Sequence, residues 1–137
     1  MLSRGVKNCN PGNIRQSVSP FRGEVTPSSD PTYKEFRSMR WGYRAMFLVI
    51  HNYNMLYSIN TLDEIIRRWA QSTSIETDLY IKSVAKRLGC STRAHINSLD
   101  HDTMVTLIGA MSWIENGVKA LPSEVEDGWS LFVEERI

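Results

Sequence analysis

The chain has 137 residues, 42% of them hydrophobic, and its sixteen basic and fifteen acidic side chains leave a formal net charge of +1. That length supports one domain whose core needs no disulfide or metal, and the near-neutral charge excludes a broad field attracting nucleic acid, a membrane surface or acidic partners. The two cysteines, Cys9 and Cys90, form no C-x-x-C pair, so neither a disulfide framework nor a zinc site is implied.

The opening "MLSRGVKNCN" lacks the apolar segment of a secretory signal, and "AMFLVI" is too short to span a bilayer. The expectation is a protein made in the cytoplasm without a membrane span, carried by other means if it acts at a cell wall. Within "RGVKNCNPGNIRQ", Pro11 and Gly12 take the centre of a four-residue turn, and Gly12 at positive φ would suit type II. Asn10 and Asn13 bracket that turn.

Residues 1–38 hold four of the five prolines and read as loops with a β-hairpin. "GNIRQSV" and "TYKEFRS" have strand-like content, with "TPSSDPT" as a long irregular connection. Residues 39–137 read as helical, and the whole as a single domain of mainly α (α+β) class.

From Met39, the apolar residues Tyr43, Met46, Phe47, Ile50, Tyr53 and Met55 or Leu56 recur at three and four, predicting a helix that ends near Tyr57. "TLDE" opens a second helix, because Thr61 and Glu64 have capping-box spacing. A third runs from about Glu76 to Leu88 and stops at Gly89. A fourth opens at Asp100, with Leu99 as a hydrophobic staple, and ends at "ENG". Ser123 and Glu126 cap a fifth, which carries Trp129, Leu131, Phe132 and Val133.

On the fourth helix the stripe Met104, Leu107, Ile108, Met111 continues to Ile114 and Glu115, so Glu115 is an acid on the core-facing side. It also lies in the last turn, where the helix dipole opposes negative charge. Both effects raise a carboxyl pKa, as a general acid working near neutrality requires. The same position also suits a carboxylate at the helix rim that reaches solvent past Gly117 or pairs with an arginine.

"RGVKNCNPGNIR", "YKEFRSMRWGYRAM", "TDLYIKSVAKRLG" and "ENG" together resemble the successive motifs of phage-type, lysozyme-like peptidoglycan hydrolases. Their opening usually reads R-G-x-R-N-N-N-P-G-N-I-R, from which this chain departs at Lys7 and Cys9. The resemblance implies a lysozyme-like helical domain with a small N-terminal β element beside a cleft for glycan strands. It also implies muramidase or lytic transglycosylase activity on peptidoglycan. In the distantly similar flagellar-type glucosaminidases and lytic transglycosylases, the catalytic glutamate precedes the motif similar to "NPGNI". Here ten residues precede Pro11 and none is acidic. A circularly permuted order resolves this, with "WIENG" supplying the acid from the other end of the chain.

Glu115 is therefore the expected catalytic acid, and Glu24 is the alternative acid or second carboxylate. Asp30 and Glu35 rank below it. By the same resemblance, Tyr80 matches a cleft-lining tyrosine. Asn8, Asn10 and Asn13 are substrate-binding candidates because neutral amides donate and accept without ionising. Arg44 could hold a carboxylate, of Glu115 or of muramyl lactyl groups. Among Trp41, Trp69 and Trp113, which offer flat faces for sugars, Trp113 comes first because it is two residues from Glu115.

The three histidines lack metal-ligand spacing, and neither metal nor cofactor is expected. Two other readings of the chain stand beside the enzyme. One is a non-catalytic virion protein of the same fold that binds glycan. The other is a helix-turn-helix DNA-binding module built on "SVAKRLGCSTRAHINSL", although neutral charge gives it little phosphate attraction and nucleic acid is not the expected partner.

Overall fold

A computed structural model describes residues 2–135. The elements run α1 (Arg4–Lys7), β1 (Glu24–Val25), β2 (Glu35–Phe36), α2 (Met39–Tyr57), α3 (Leu62–Ala70), α4 (Ile75–Leu88), α5 (His101–Asn116) and α6 (Pro122–Glu134). The architecture is mainly helical with one small antiparallel hairpin, as the change of period at Met39 predicts.

The helices follow from stripe and cap. In α2, Tyr43, Met46, Phe47 and Ile50 are buried, and the helix ends where Ser58 turns left-handed. Met55 and Leu56 are exposed, because the buried stripe ends before the last turn. The Thr61–Glu64 capping box opens α3. Ser74 and Asp100 accept from Thr77 and Thr103 backbone N–H to open α4 and α5, which stop at left-handed Gly89 and Gly117. The cap of α6 differs from expectation. Leu121 is its N-cap and Pro122 its first residue, since proline's fixed φ suits that position, so no Ser123 box forms. Leu99 stays exposed and does not staple α5.

Helix α2 packs most extensively against α6, and α4 packs against both α3 and α5. Phe47, at the centre, meets Trp129 edge-on with ring centroids 5.2 Å apart and stacks on Phe132 at 6.0 Å. Burial of such side chains stabilises by roughly 1.5–3 kcal/mol each.

The N-terminal part departs further from expectation. The hairpin pairs Glu24 with Phe36 and Val25 with Glu35, while "GNIRQSV" contributes one bridge, Arg15 to Tyr33. The chain leaves that ladder because the Ser17 and Ser19 carbonyls turn to accept from Lys34 Nζ, at 3.2 and 3.3 Å. α1 is a single turn without a periodic apolar stripe to announce it, and the Ser3 hydroxyl caps it by accepting from Val6 N–H.

The segment after Gly89 forms no second helix before α5. Instead it runs along the start of α3, where Ile96 N–H donates to Asn60 O at 2.7 Å and Leu62 N–H to Ala94 O at 2.9 Å. Ile96 enters the core. The second helix that the alternative helix-turn-helix reading requires is therefore not formed by these residues.

Candidate active site

The Asn-rich turn is assembled by its amides. Asn10, fully buried, donates from Nδ2 to the carbonyls of Ile14 and Lys34, each at 2.9 Å, and accepts from Ile14 N–H at 2.9 Å. Asn13 N–H closes the turn on Asn10 O at 3.0 Å. The left-handed residue is Asn13, at φ 50°, and Gly12 does not have positive φ, so the type II expectation is corrected. Gly12 is needed for space instead, because a Cβ there would stand 2.6 Å from Trp69 Cζ2.

The helical part grips this turn from outside. Asn116 Nδ2 donates to Pro11 O at 2.8 Å, and Trp69 Nε1 donates to Gly12 O at 3.0 Å. Asn116 Oδ1 accepts from the Ser3 hydroxyl at 2.8 Å, tying α1 to the same helix end. "ENG" and "NPGN" thus meet across more than a hundred residues of sequence.

Beside that clamp, Glu115 Oε1 accepts from Asn13 Nδ2 at 2.9 Å, and Oε2 accepts from the Tyr80 hydroxyl at 3.1 Å. Burial pushes the Glu115 carboxyl above its usual range, while the bonds from Asn13 and Tyr80 pull the other way. Its place in the last turn of α5, just before the left-handed Gly117, also disfavours negative charge. Burial raises the Tyr80 phenol strongly, helped by the neighbouring Glu115 charge, so Tyr80 remains a neutral donor. Chemically this is a carboxylic acid whose two oxygens each face a donor that strengthens as the proton departs.

Glu115 and Tyr80 line an open cleft of about 330 Å³, together with Trp69, Arg15, Ser72 and Glu76. The cleft lies on the seam between the loop part and helices α3, α4 and α5. Glu76 is one helical turn before Tyr80 on α4 and is exposed.

Six sequence-derived candidates have partners away from Glu115. Glu24 is committed to Lys34, with Oε2 2.9 Å from Nζ and both side chains almost wholly buried, so it is a structural ion pair and not a free acid. Arg44 is buried in α2 and donates to the Glu135 backbone carbonyl at 2.7 Å, so it does not pair with Glu115, whose partners are Asn13 and Tyr80. Asn8 is buried and donates to Asp30 Oδ2 at 3.2 Å. Asn10 is the turn's internal staple, as above. Asp30 and Glu35 likewise accept from backbone N–H groups within the loop.

Trp113 does not line the cleft. Arg87 lies over its ring, 4.2 Å from the centroid, and so does Lys119, at 4.9 Å. Two residues along a helix is a rotation of about 200°, so proximity in sequence placed it on the far side. The cleft tryptophan is Trp69. Sequence reasoning overlooked Arg15 and Glu76 as cleft residues and Asn116 as the clamp; the amide in "ENG" was a usable signal, since a helix-terminal asparagine has both donor and acceptor to spend. Among the described residues, no group of three or more His, Cys, Asp or Glu side chains could hold a metal ion, and no helix is long and apolar enough to cross a membrane.

No family model matches the chain. Over 118 residues it is 32% identical to Protein P5 of Pseudoalteromonas phage PM2, an alignment covering 84% of this chain and 72% of that protein.

Proposed function

The chain belongs to the family of Protein P5 of Pseudoalteromonas phage PM2, and we propose that it cleaves the glycan strands of peptidoglycan with Glu115 as general acid. The observation that carries this reading is the Glu115 carboxyl itself, desolvated at a cleft wall and bonded by Asn13 and Tyr80. The proton passes from Glu115 to the glycosidic oxygen as the bond to the anomeric carbon breaks. Asn13 Nδ2 and Tyr80 Oη then stabilise the carboxylate left behind, an interaction stronger in the transition state than before it. On this reading the domain is lysozyme-like with a circularly permuted order, and its phage relative is consistent with a virion-associated role.

Two outcomes follow the departure of the leaving group. If the sugar's own 6-hydroxyl attacks the anomeric carbon, the product is an anhydro-sugar, and that hydroxyl proton returns to Glu115. If water attacks, the product has a reducing end, and Glu76 on the same cleft is the carboxylate available to take the water proton.

The test is mass spectrometry of muropeptides released from purified peptidoglycan by the wild type, Glu115→Gln and Glu76→Gln. Glu115→Gln is expected to lower the rate by about 10²–10⁴, the usual contribution of a general acid. Full activity of Glu115→Gln overturns the assignment. Binding to insoluble peptidoglycan with no products from the wild type replaces it with a non-catalytic glycan-binding protein. Anhydro ends unaffected by Glu76→Gln identify a transglycosylase.

A further inference from the structure

A second pocket, of about 120 Å³, adjoins the cleft and shares Arg15 and Trp69 with it. Arg68, Tyr53 and Gln71 complete the walls that matter here. Two arginines therefore border one small concavity. Each is held on aromatic faces: Arg68 lies 5.9 Å from the Tyr53 ring centroid and 5.6 Å from that of Tyr57, and Arg15 lies 5.4 Å from that of Tyr33. Among the described residues, neither Arg15 nor Arg68 has a carboxylate within ion-pair distance.

The arrangement has the chemistry of an anion site. Guanidinium groups bind carboxylates through paired N–H donors, and stacking on tyrosine restricts their rotamers before a ligand arrives. Both arginines are exposed, so they keep their hydration until a ligand displaces it. The pocket has room for a carboxylate and a few carbons of its chain, and Trp69 continues from it into the cleft as a shared apolar wall.

We infer that this pocket is a subsite for a carboxylate of the peptide stem carried by the glycan strand, bound by Arg15 and Arg68. The inference rests on the glycan-cleaving reading and adds to it a basis for choosing strands that carry acidic stems. It gives to Arg15 and Arg68 the anion-binding role that the sequence suggested for the buried Arg44.

The experiment is calorimetric titration of full-length Glu115→Gln with two probes. One is a soluble tetrasaccharide of alternating N-acetylglucosamine and N-acetylmuramic acid bearing stem peptides with free carboxylates. The other is the same molecule with those carboxylates converted to methyl esters. The free acid is expected to bind at least about tenfold tighter at low salt, as paired charge-assisted hydrogen bonds require, and that ratio should shrink at high salt. Arg68→Ala is expected to reduce the ratio to below about threefold, with folding checked by thermal melting. Equal binding of acid and ester, or a ratio unchanged by a folded Arg68→Ala variant, overturns the subsite and leaves the cleavage reading standing. Binding of neither probe, together with no cleavage by the wild type, overturns both.

Discussion

Residues 2–38 completely bury Asn10 and Lys34, whereas residues 39–135 completely bury Met46, Phe47, Ile65, Leu107 and Phe132. The first region is held by satisfied donors and acceptors: Asn10 serves three backbone groups, and Lys34 Nζ serves two carbonyls and the Glu24 carboxylate. The second is held by apolar area, which is non-directional and tolerates exchange of similar volumes. The candidate site lies on their seam. Its acid comes from the packed region, and one of the acid's two donors comes from the hydrogen-bonded region. A rigid helix end thus meets a turn whose geometry is fixed by directional bonds, which is how a carboxyl and an amide separated by 102 positions stay within 2.9 Å.

The sharpest way to break this contrast is Asn10→Ala. It orphans Ile14 N–H and Lys34 O and removes one of the two bonds that Ile14 O accepts; at about 1–3 kcal/mol for each orphaned group, a loss of roughly 2–6 kcal/mol is expected. Met46→Leu in the core should cost less than about 1.5 kcal/mol. Urea unfolding of the two variants decides, and equal losses would remove the distinction between the regions.

The seam itself is tested by Asn13→Gly and Tyr80→Phe, which delete one donor each; glycine accepts the left-handed φ of position 13. A hydrogen bond to a charged group contributes about 1.5–3 kcal/mol, so cleavage should slow by roughly ten- to a hundredfold. Both donors lower the Glu115 pKa, so their removal raises it further. Because a general acid works protonated, the alkaline limb of kcat/KM against pH should move to higher pH in both variants. An unmoved limb would separate Glu115 from the activity.

A smaller effect is expected on stability from Glu115→Gln. The folded pKa of Glu115 is raised above its ordinary 4.5, so the native state binds the proton more tightly than the unfolded chain. Its favourable contribution is therefore complete below about 4.5 and is lost as pH rises through the folded value. Thermal unfolding should show Glu115→Gln gaining on the wild type from pH 4 to pH 8. A gap that narrows over that interval would contradict a desolvated acid.

The smallest effect concerns Cys9, which sits at φ 52°. Asparagine tolerates this conformation better than cysteine, and it is also the residue at this place in the motif that the chain resembles. Cys9→Asn should stabilise the loop region by about 0.5–1 kcal/mol, read as a shift in the urea midpoint without a change in slope.

Much of the helical region was legible because period and caps are local. The bounds of α2 and the stops of α4 and α5 at Gly89 and Gly117 follow from spacing alone. Glu115 was legible for the same reason, as a polar residue on an apolar stripe. The loop region was not, because its structure is fixed by bonds between residues far apart in sequence. Nothing near Glu24 announces that Lys34 will neutralise it, and nothing near Arg44 announces that it will be buried against the backbone of Glu135.

The amino-acid sequence by itself determined helices α2–α6, a turn at Pro11–Gly12 and an acid at the end of α5, since each depends on interactions within a few positions. Only the tertiary structure decided which asparagine faces that acid, which tryptophan walls the cleft and which arginines remain exposed beside it. Asn13, Trp69, Arg15 and Arg68 are selected by where helices α3, α4 and α5 converge on the turn. That convergence is set by the burial of side chains distant in sequence, so no short stretch contains it.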